Sequence, residues 1–291
     1  MTNLAKLSRD LNDHGYVVWK NYASRKDSQN IRQTTLTADS IPVNSNTFRP
    51  TFLGNSVFNT SILMVSKEAF DLCVNNDLIN LAGTFIGDSP LLKCVRSYQI
   101  RKSNFLFNWH ADNKSSIDAS PDDSIGLVGI IFLEDDRENS FCLVTNTRNQ
   151  PKNPTANALQ EQIIEFNKPE KHVKINAECG DLLLFSQDMY HRHIIFKQQK
   201  LDAMWFQIIG ASKGTPESIC VQSSYLPSGS LALPILDYLG AGSCTIGYRN
   251  PVTSLNSLSY NYTLKILVFI TSNLFIRLVK KLSRSLRLIR F

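Results

Sequence analysis

The segment Phe105-Leu106-Phe107-Asn108-Trp109-His110-Ala111-Asp112 leads a run of bulky apolar residues up to an imidazole and a carboxylate two positions apart. In an extended strand, residues i and i+2 share a face, so His110 and Asp112 can converge on one point. Further on, Gly180-Asp181-Leu182-Leu183-Leu184-Phe185 reads as a second apolar strand that leads to His191. Two imidazole nitrogens and one carboxylate oxygen form the facial set that suits non-haem Fe(II), leaving three positions for a cosubstrate and O2. A His-x-Asp pair alone also occurs in ordinary hydrogen-bonded turns. The scarcity of histidine (positions 14, 110, 172, 191 and 193) and a second strand ending near one of them favour a metal. His193 competes with His191: if residues 191–193 are extended, both rings share a face, and either can ligate while the other orients substrate or supports the first.

The elements that must hold these residues follow from periodicity. Leu4, Leu7 and Leu11 at helical spacing predict a short helix over 2–13 ending near Gly15, with a strand at Tyr16-Val17-Val18-Trp19. Residues 21–58 are polar and irregular, with Pro42 and Pro50, and read as loops. One helical pattern runs from Ser66, a good N-cap, toward Ala82, before a turn at Gly87-Asp88-Ser89-Pro90. Strands are predicted at 92–100, 104–110, 125–133, 141–144, 172–176, 181–185, 191–196 and 203–209, with a helical stripe over 153–170. Many short strands separated by polar turns predict a mainly β fold with helical insertions, two sheets packed into a barrel whose mouth can hold a ligand.

With 291 residues, 43% of them hydrophobic and 19% charged, the chain is sized for one well-packed domain, or one domain with appendages, and is neither disordered nor fibrous. Its six cysteines are thinly spread without a Cys-x-x-Cys pair. That argues against a zinc knuckle or disulfide framework and for a reducing compartment. The first residues lack the apolar core of a secretory signal, so a cytoplasmic location is expected. The formal charge is +6, yet no acid follows Asp237 while eight lysines and arginines do, leaving residues 1–237 near −2. The basic balance belongs to the tail and gives no reason to expect nucleic-acid binding by the body. The tail is leucine-rich with interspersed basic residues, and its longest apolar run, Ile266–Ile270, is too short to span a bilayer. Such a helix fits contact with an anionic membrane surface or packing on a partner subunit. The expected organisation is a catalytic domain over 1–210, an extension or lid over 211–259, and a basic amphipathic C-terminal helix over 260–291.

Three stretches together resemble the phytanoyl-CoA dioxygenase family of Fe(II)/2-oxoglutarate-dependent oxygenases. They are Trp109-His110-Ala111-Asp112, Ile130-Ile131-Phe132-Leu133-Glu134-Asp135-Asp136 with Glu138-Asn139-Ser140, and Gly180-Asp181 with Phe185 and His191. The resemblance covers about residues 90–210 and implies a double-stranded β-helix, a jelly-roll or cupin-like barrel. It implies His110, Asp112 and His191 as iron ligands, and 2-oxoglutarate as cosubstrate. The implied reaction is O2-dependent hydroxylation of a small-molecule or lipid-linked substrate. Trp109, Phe107 and Phe185 are candidates for pocket wall or core.

Two departures from the family pattern bear on this. The family carries an arginine nine to eleven residues beyond the second histidine, which grips the far carboxylate of 2-oxoglutarate; here that window is Lys200-Leu201-Asp202, and no arginine lies between Arg192 and Arg249. Lys200 offers only a point charge, and Arg96, Arg101, Lys197 and Arg192 are the other substitutes. The family's Pro-Gly-Ser-His turn is replaced by Thr145-Asn146-Thr147-Arg148. Two alternatives therefore stand beside the oxygenase: a catalytically inactive barrel serving as a binding or scaffold protein, and a metal-dependent enzyme that does not use 2-oxoglutarate.

Overall fold

A computed structural model describes residues 4–37, 47–48, 57–59, 62–101, 109, 111–112, 126–144, 172–193, 200–212, 221, 223–227 and 232–240. Helix α1 (Leu4–His14) buries Leu7 and Leu11 and ends where Gly15, at φ +77°, donates its N–H to the Leu11 carbonyl. Strand β1 (Tyr16–Trp19) follows, as its four apolar residues predict. Helix α2 (Arg25–Thr37) corrects the reading of 21–58 as loops, and β2 (Thr47–Phe48) and β3 (Val57–Asn59) lie in the same stretch. Its apolar stripe is thin, with Ile31 fully buried, so periodicity hides it.

Two short helices follow, α3 (Ile62–Val65) and α4 (Lys67–Cys73), the latter capped by the Ser66 side chain accepting from the Ala69 N–H. The single helix expected over 66–82 is in fact two. Asn75 takes extended geometry, accepts from the N–H groups of Asp77 and Leu78, and starts α5 (Asn76–Ile86) as an N-cap. The remaining elements are β4 (Pro90–Arg101), β5 (Gly126–Phe132), β6 (Asp136–Val144), β7 (His172–Ala177), β8 (Leu182–Ser186), β9 (His191–His193), β10 (Lys200–Gly210) and α6 (Ala232–Tyr238). The strand expected over 104–110 and the helix over 153–170 fall on or mostly on residues outside the description.

The strands form a seven-stranded sheet in the order β1-β8-β5-β10-β4-β3-β2 and a three-stranded sheet in the order β7-β6-β9, antiparallel throughout. The large sheet has two covered faces. One packs on the helices: Leu127, Ile131, Leu184, Met204, Phe206 and Ile208 meet Leu11, Ile31, Phe70, Leu78 and Phe85 there. The other packs on the small sheet: Val128, Ile130, Phe132, Phe185, Ala203 and Trp205 meet Phe141, Leu143, Ile175 and Ala177. Burial on both faces explains why all seven residues of β5 are buried and why its sequence is an unbroken apolar run. Beyond the last strand, Val221, Tyr238 and Leu239 join the helix-side core.

The sequence Gly180-Asp181 locks the approach to β8. Gly180 sits at φ +93° with no room for a side chain beside the Ala23 carbonyl oxygen, and its own carbonyl accepts from the Ala23 N–H. Buried Asp181 accepts from the N–H groups of Asn21 (2.9 Å) and Glu178 (2.8 Å) and from the Lys20 ammonium (2.7 Å). One glycine and one carboxylate thus tie the β7–β8 turn to the connection between β1 and α2.

Candidate metal centre

Strand β9 is only three residues long, and its register decides where its side chains go. His191 lies opposite Leu143 and His193 opposite Phe141, so both rings stand on the face that meets the large sheet. His191 is buried with its ring centre 4.8 Å from that of Phe185 and 5.6 Å from that of Phe141. His193 meets the edge of Phe141 at 4.5 Å.

The His191 ring is held at one nitrogen and aimed with the other. Nδ1 lies 3.1 Å from the Met189 carbonyl oxygen, which accepts only; a proton therefore sits on Nδ1, and in the neutral ring Nε2 carries the lone pair. Nε2 lies 4.0 Å from Oδ1 of Asp112. That is too far for a hydrogen bond. It is also wider than the roughly 3 Å that two neighbouring donors of a facial set span at bonds on the order of 2.1 Å, and falls just inside the limit of about 4.2 Å for any two donors on one cation. An imidazole nitrogen and a carboxylate oxygen in an aromatic-lined interior fit Fe(II) by donor type. Among the described residues no group of three histidine, cysteine or acidic side chains forms a complete set. His110, the third expected ligand, lies outside the described residues.

The neighbouring interior surface holds Arg96, one of the expected substitutes, beside Trp205 and Tyr98, which the sequence did not mark. On β4, Arg96 pairs with Trp205 of β10 and stacks on it, its guanidinium carbon 4.0 Å from the ring centre. Tyr98, two residues on, is buried in the core between the sheets. Burial pushes its phenol well above the ordinary range, with the Arg96 guanidinium opposing the shift and the Asp112 carboxylate adding to it. The hydroxyl thus keeps its proton. The signal for this trio was an arginine and a tyrosine at i and i+2 in a predicted strand.

Other candidates separate. Arg101 and Lys200 are backbone partners at the ends of β4 and β10. Arg192 alternates to the far face of the small sheet, stacked over Trp109 at 4.4 Å, which removes it from the interior. Trp109 is core of that far face, packed with Ala111, Cys142, Val144 and Tyr190. Phe185 does touch the candidate ligand. Phe107 and Lys197 lie outside the described residues. The carboxylate of Asp202, in the window where the family carries arginine, is buried among the helices' partners and accepts from Arg32 Nε, with Gln99 at 3.5 Å.

No family model and no curated protein matches the chain. Solved structures do. HygX from Streptomyces hygroscopicus, with nickel and 2-oxoglutarate bound, superposes with a TM-score of 0.57 at 13% identity over 79% of this chain and 95% of that one. SnoN, the non-heme alpha ketoglutarate dependent epimerase from nogalamycin biosynthesis, gives 0.53 at 13% identity over 72% and 83%. EctD from S. alaskensis, with 2-oxoglutarate and 5-hydroxyectoine, gives 0.53 at 15% identity over 72% and 77%. The chain shares their fold. At these identities the likeness is one of fold, and membership of the phytanoyl-CoA dioxygenase family in particular is not part of it.

Proposed function

We propose that this protein is an Fe(II)- and 2-oxoglutarate-dependent oxygenase acting on a small-molecule or lipid-linked substrate, built as a double-stranded β-helix. The observation that carries this reading is the aim of His191 Nε2 at Asp112, with Nδ1 tied to the Met189 carbonyl. His191 and Asp112 are two of the ligands in this reading, and His110 is the third. Bound Fe(II) and 2-oxoglutarate supply O2-dependent oxidation of a substrate C–H bond, with 2-oxoglutarate leaving as succinate and CO2. The chain's own residues bind, orient and shield. The carbonyl-bound Nδ1–H fixes the tautomer that ligates and holds the ring in plane. Phe141 and Phe185 wall the imidazole from water. Arg96, with a planar fork held against Trp205, is our choice to bind the far carboxylate of 2-oxoglutarate in place of the arginine β10 lacks, with Tyr98 as a neutral donor beside it. Lys200 and Arg101 are the remaining candidates for that contact, and His193 for a supporting role next to the metal.

The iron and 2-oxoglutarate assignments draw support from the neighbours, one of which was solved with Fe3+ and alpha ketoglutarate and another with nickel and 2-oxoglutarate. Hydroxylation is our expected outcome, although one neighbour is an epimerase, so this fold serves more than one outcome. Small-molecule substrates agree with HygX, solved with hygromycin B. The test is succinate release from 2-oxoglutarate under O2. We expect it to need added Fe(II) and to vanish in Asp112→Ala; succinate formed equally well without iron, or undiminished in that variant, overturns the reading.

A second reading, a metal-dependent enzyme without 2-oxoglutarate, is favoured by one observation. Arg96 already has a stacking partner in Trp205, and β10 has no arginine of its own. Metal binding by a protein with no affinity for 2-oxoglutarate would select it.

A further inference from the structure

The two halves of the candidate centre come from segments distant in sequence, and a contact on the opposite face of the small sheet joins them. On β9 the side chains alternate: His191 and His193 face the interior with Phe141, while Arg192, opposite Cys142, lies on the outer face. There its guanidinium carbon lies 4.4 Å from the Trp109 ring centre, and the ring of His172 lies 5.7 Å from the same indole. Trp109 is buried on that face with Ala111, Cys142, Val144 and Tyr190. At Asp112 the same segment has already reached the interior, 4.0 Å from His191 Nε2. Residues 109, 111 and 112 lie outside every strand, so no strand ladder sets the carboxylate's position. The segment grips the outside of the sheet with an aromatic ring and presents its carboxylate inside.

We propose that Arg192 and Trp109 are positioning residues, a clasp through which β9 holds the Asp112 carboxylate in reach of the histidine beside Arg192. This rests on the metal role given above to Asp112 and His191. The chemistry fits the task. A guanidinium stacks flat on an indole, with both cation–π attraction and shared plane, and the partly buried setting strengthens the attraction. Because Arg192 directly follows His191 in the chain, any shift of the stack moves the two ligands relative to each other. Groups that orient metal ligands act on affinity by about ten- to a hundredfold.

The experiment uses the full chain and two readouts, Co(II) titration and amide hydrogen exchange at residues 109–112 of the metal-free protein. We expect Arg192→Leu and Trp109→Leu each to weaken Co(II) binding about tenfold. Each should also speed exchange at 109–112 by about the same factor, with exchange in β5 and β8 unchanged. The double variant should lose no more than the worse single one, because the two side chains act as a pair. Arg192→Lys keeps the charge and loses the flat stack, so it should show the same direction with a smaller change; it also serves if the leucine variants fold poorly. Unchanged affinity and unchanged exchange in Arg192→Leu overturn the clasp, as does a double variant whose loss is the full sum of both. Faster exchange in variants of a protein that binds no Co(II) upholds the clasp and sinks the metal reading instead.

Discussion

At the scale of single residues, function depends on which atoms point where. Asp112→Ala and His191→Ala each remove one donor from a site with few others, and both should abolish measurable Fe(II) or Co(II) binding while leaving the fold intact by circular dichroism. Arg96→Leu should separate the two ligands of the protein: metal affinity stays near wild type, whereas 2-oxoglutarate affinity falls by about a hundredfold, the worth of two charge-assisted hydrogen bonds at roughly 1.5 kcal/mol each. Arg96→Lys should recover part of that loss, since lysine supplies charge without the fork. A 2-oxoglutarate affinity unmoved in Arg96→Leu would transfer the role to Lys200 or Arg101. His191 and Asp112 were named from residue type and spacing, and the fold brings His191 Nε2 to 4.0 Å from the Asp112 carboxylate although Asp112 lies outside every strand. Arg96 was named only as one of several substitutes for the missing arginine, since an arginine in a strand looks the same whether it faces solvent or a core. Only the pairing with Trp205 separates the two.

At the scale of elements, two pieces of chemistry hold the scaffold in register. The first is the ion pair that carries α2: Arg32 donates to the fully buried Asp202 of β10 and lies 3.6 Å from Glu134. Arg32→Leu weakens the compensation of a buried carboxylate, so we expect a loss of about 3 kcal/mol in urea unfolding. A loss under ~0.5 kcal/mol would show that solvent and Gln99 suffice. The second is Gly180. A methyl group there meets the Ala23 carbonyl at a backbone angle that L-residues avoid, and Gly180→Ala should cost about 2–4 kcal/mol. Wild-type stability in that variant would contradict the tight approach of the two turns. Most strands were legible because apolar runs of the right length, bounded by Gly, Asp and Pro, leave little choice. Helix α2 was not, for its sequence RKDSQNIRQTTLT is polar nearly all round. Its start did leave a mark: Ser24 accepts from the Asp27 N–H and donates to the Asp27 carboxylate, a capping pair at the expected spacing. The break between α4 and α5 escaped because Val74 and Leu78 continue the apolar stripe across Asn75.

At the scale of the whole molecule, the large sheet separates a helix-packed core, which supports the fold, from an inner core shared with the small sheet, which holds the candidate centre. This division explains why the likeness to solved oxygenase-fold structures extends over 72–79% of the chain at 13–15% identity: the covered faces need only apolar residues of suitable volume. The basic tail follows separate rules. With seven cations and no acid, residues 262–291 should carry any attraction to anionic vesicles. Their removal should abolish co-sedimentation with such vesicles, and sedimentation that survives it would remove the membrane proposal. Among the described residues, no helix is long and apolar enough to cross a membrane. The most direct measurement of the central claim is an anaerobic titration of the purified chain with Fe(II) and then 2-oxoglutarate, followed by visible absorption. We expect a weak charge-transfer band that needs both additions and disappears in His191→Ala; a featureless spectrum at saturating concentrations, or a band that persists in that variant, would contradict an iron centre at His191.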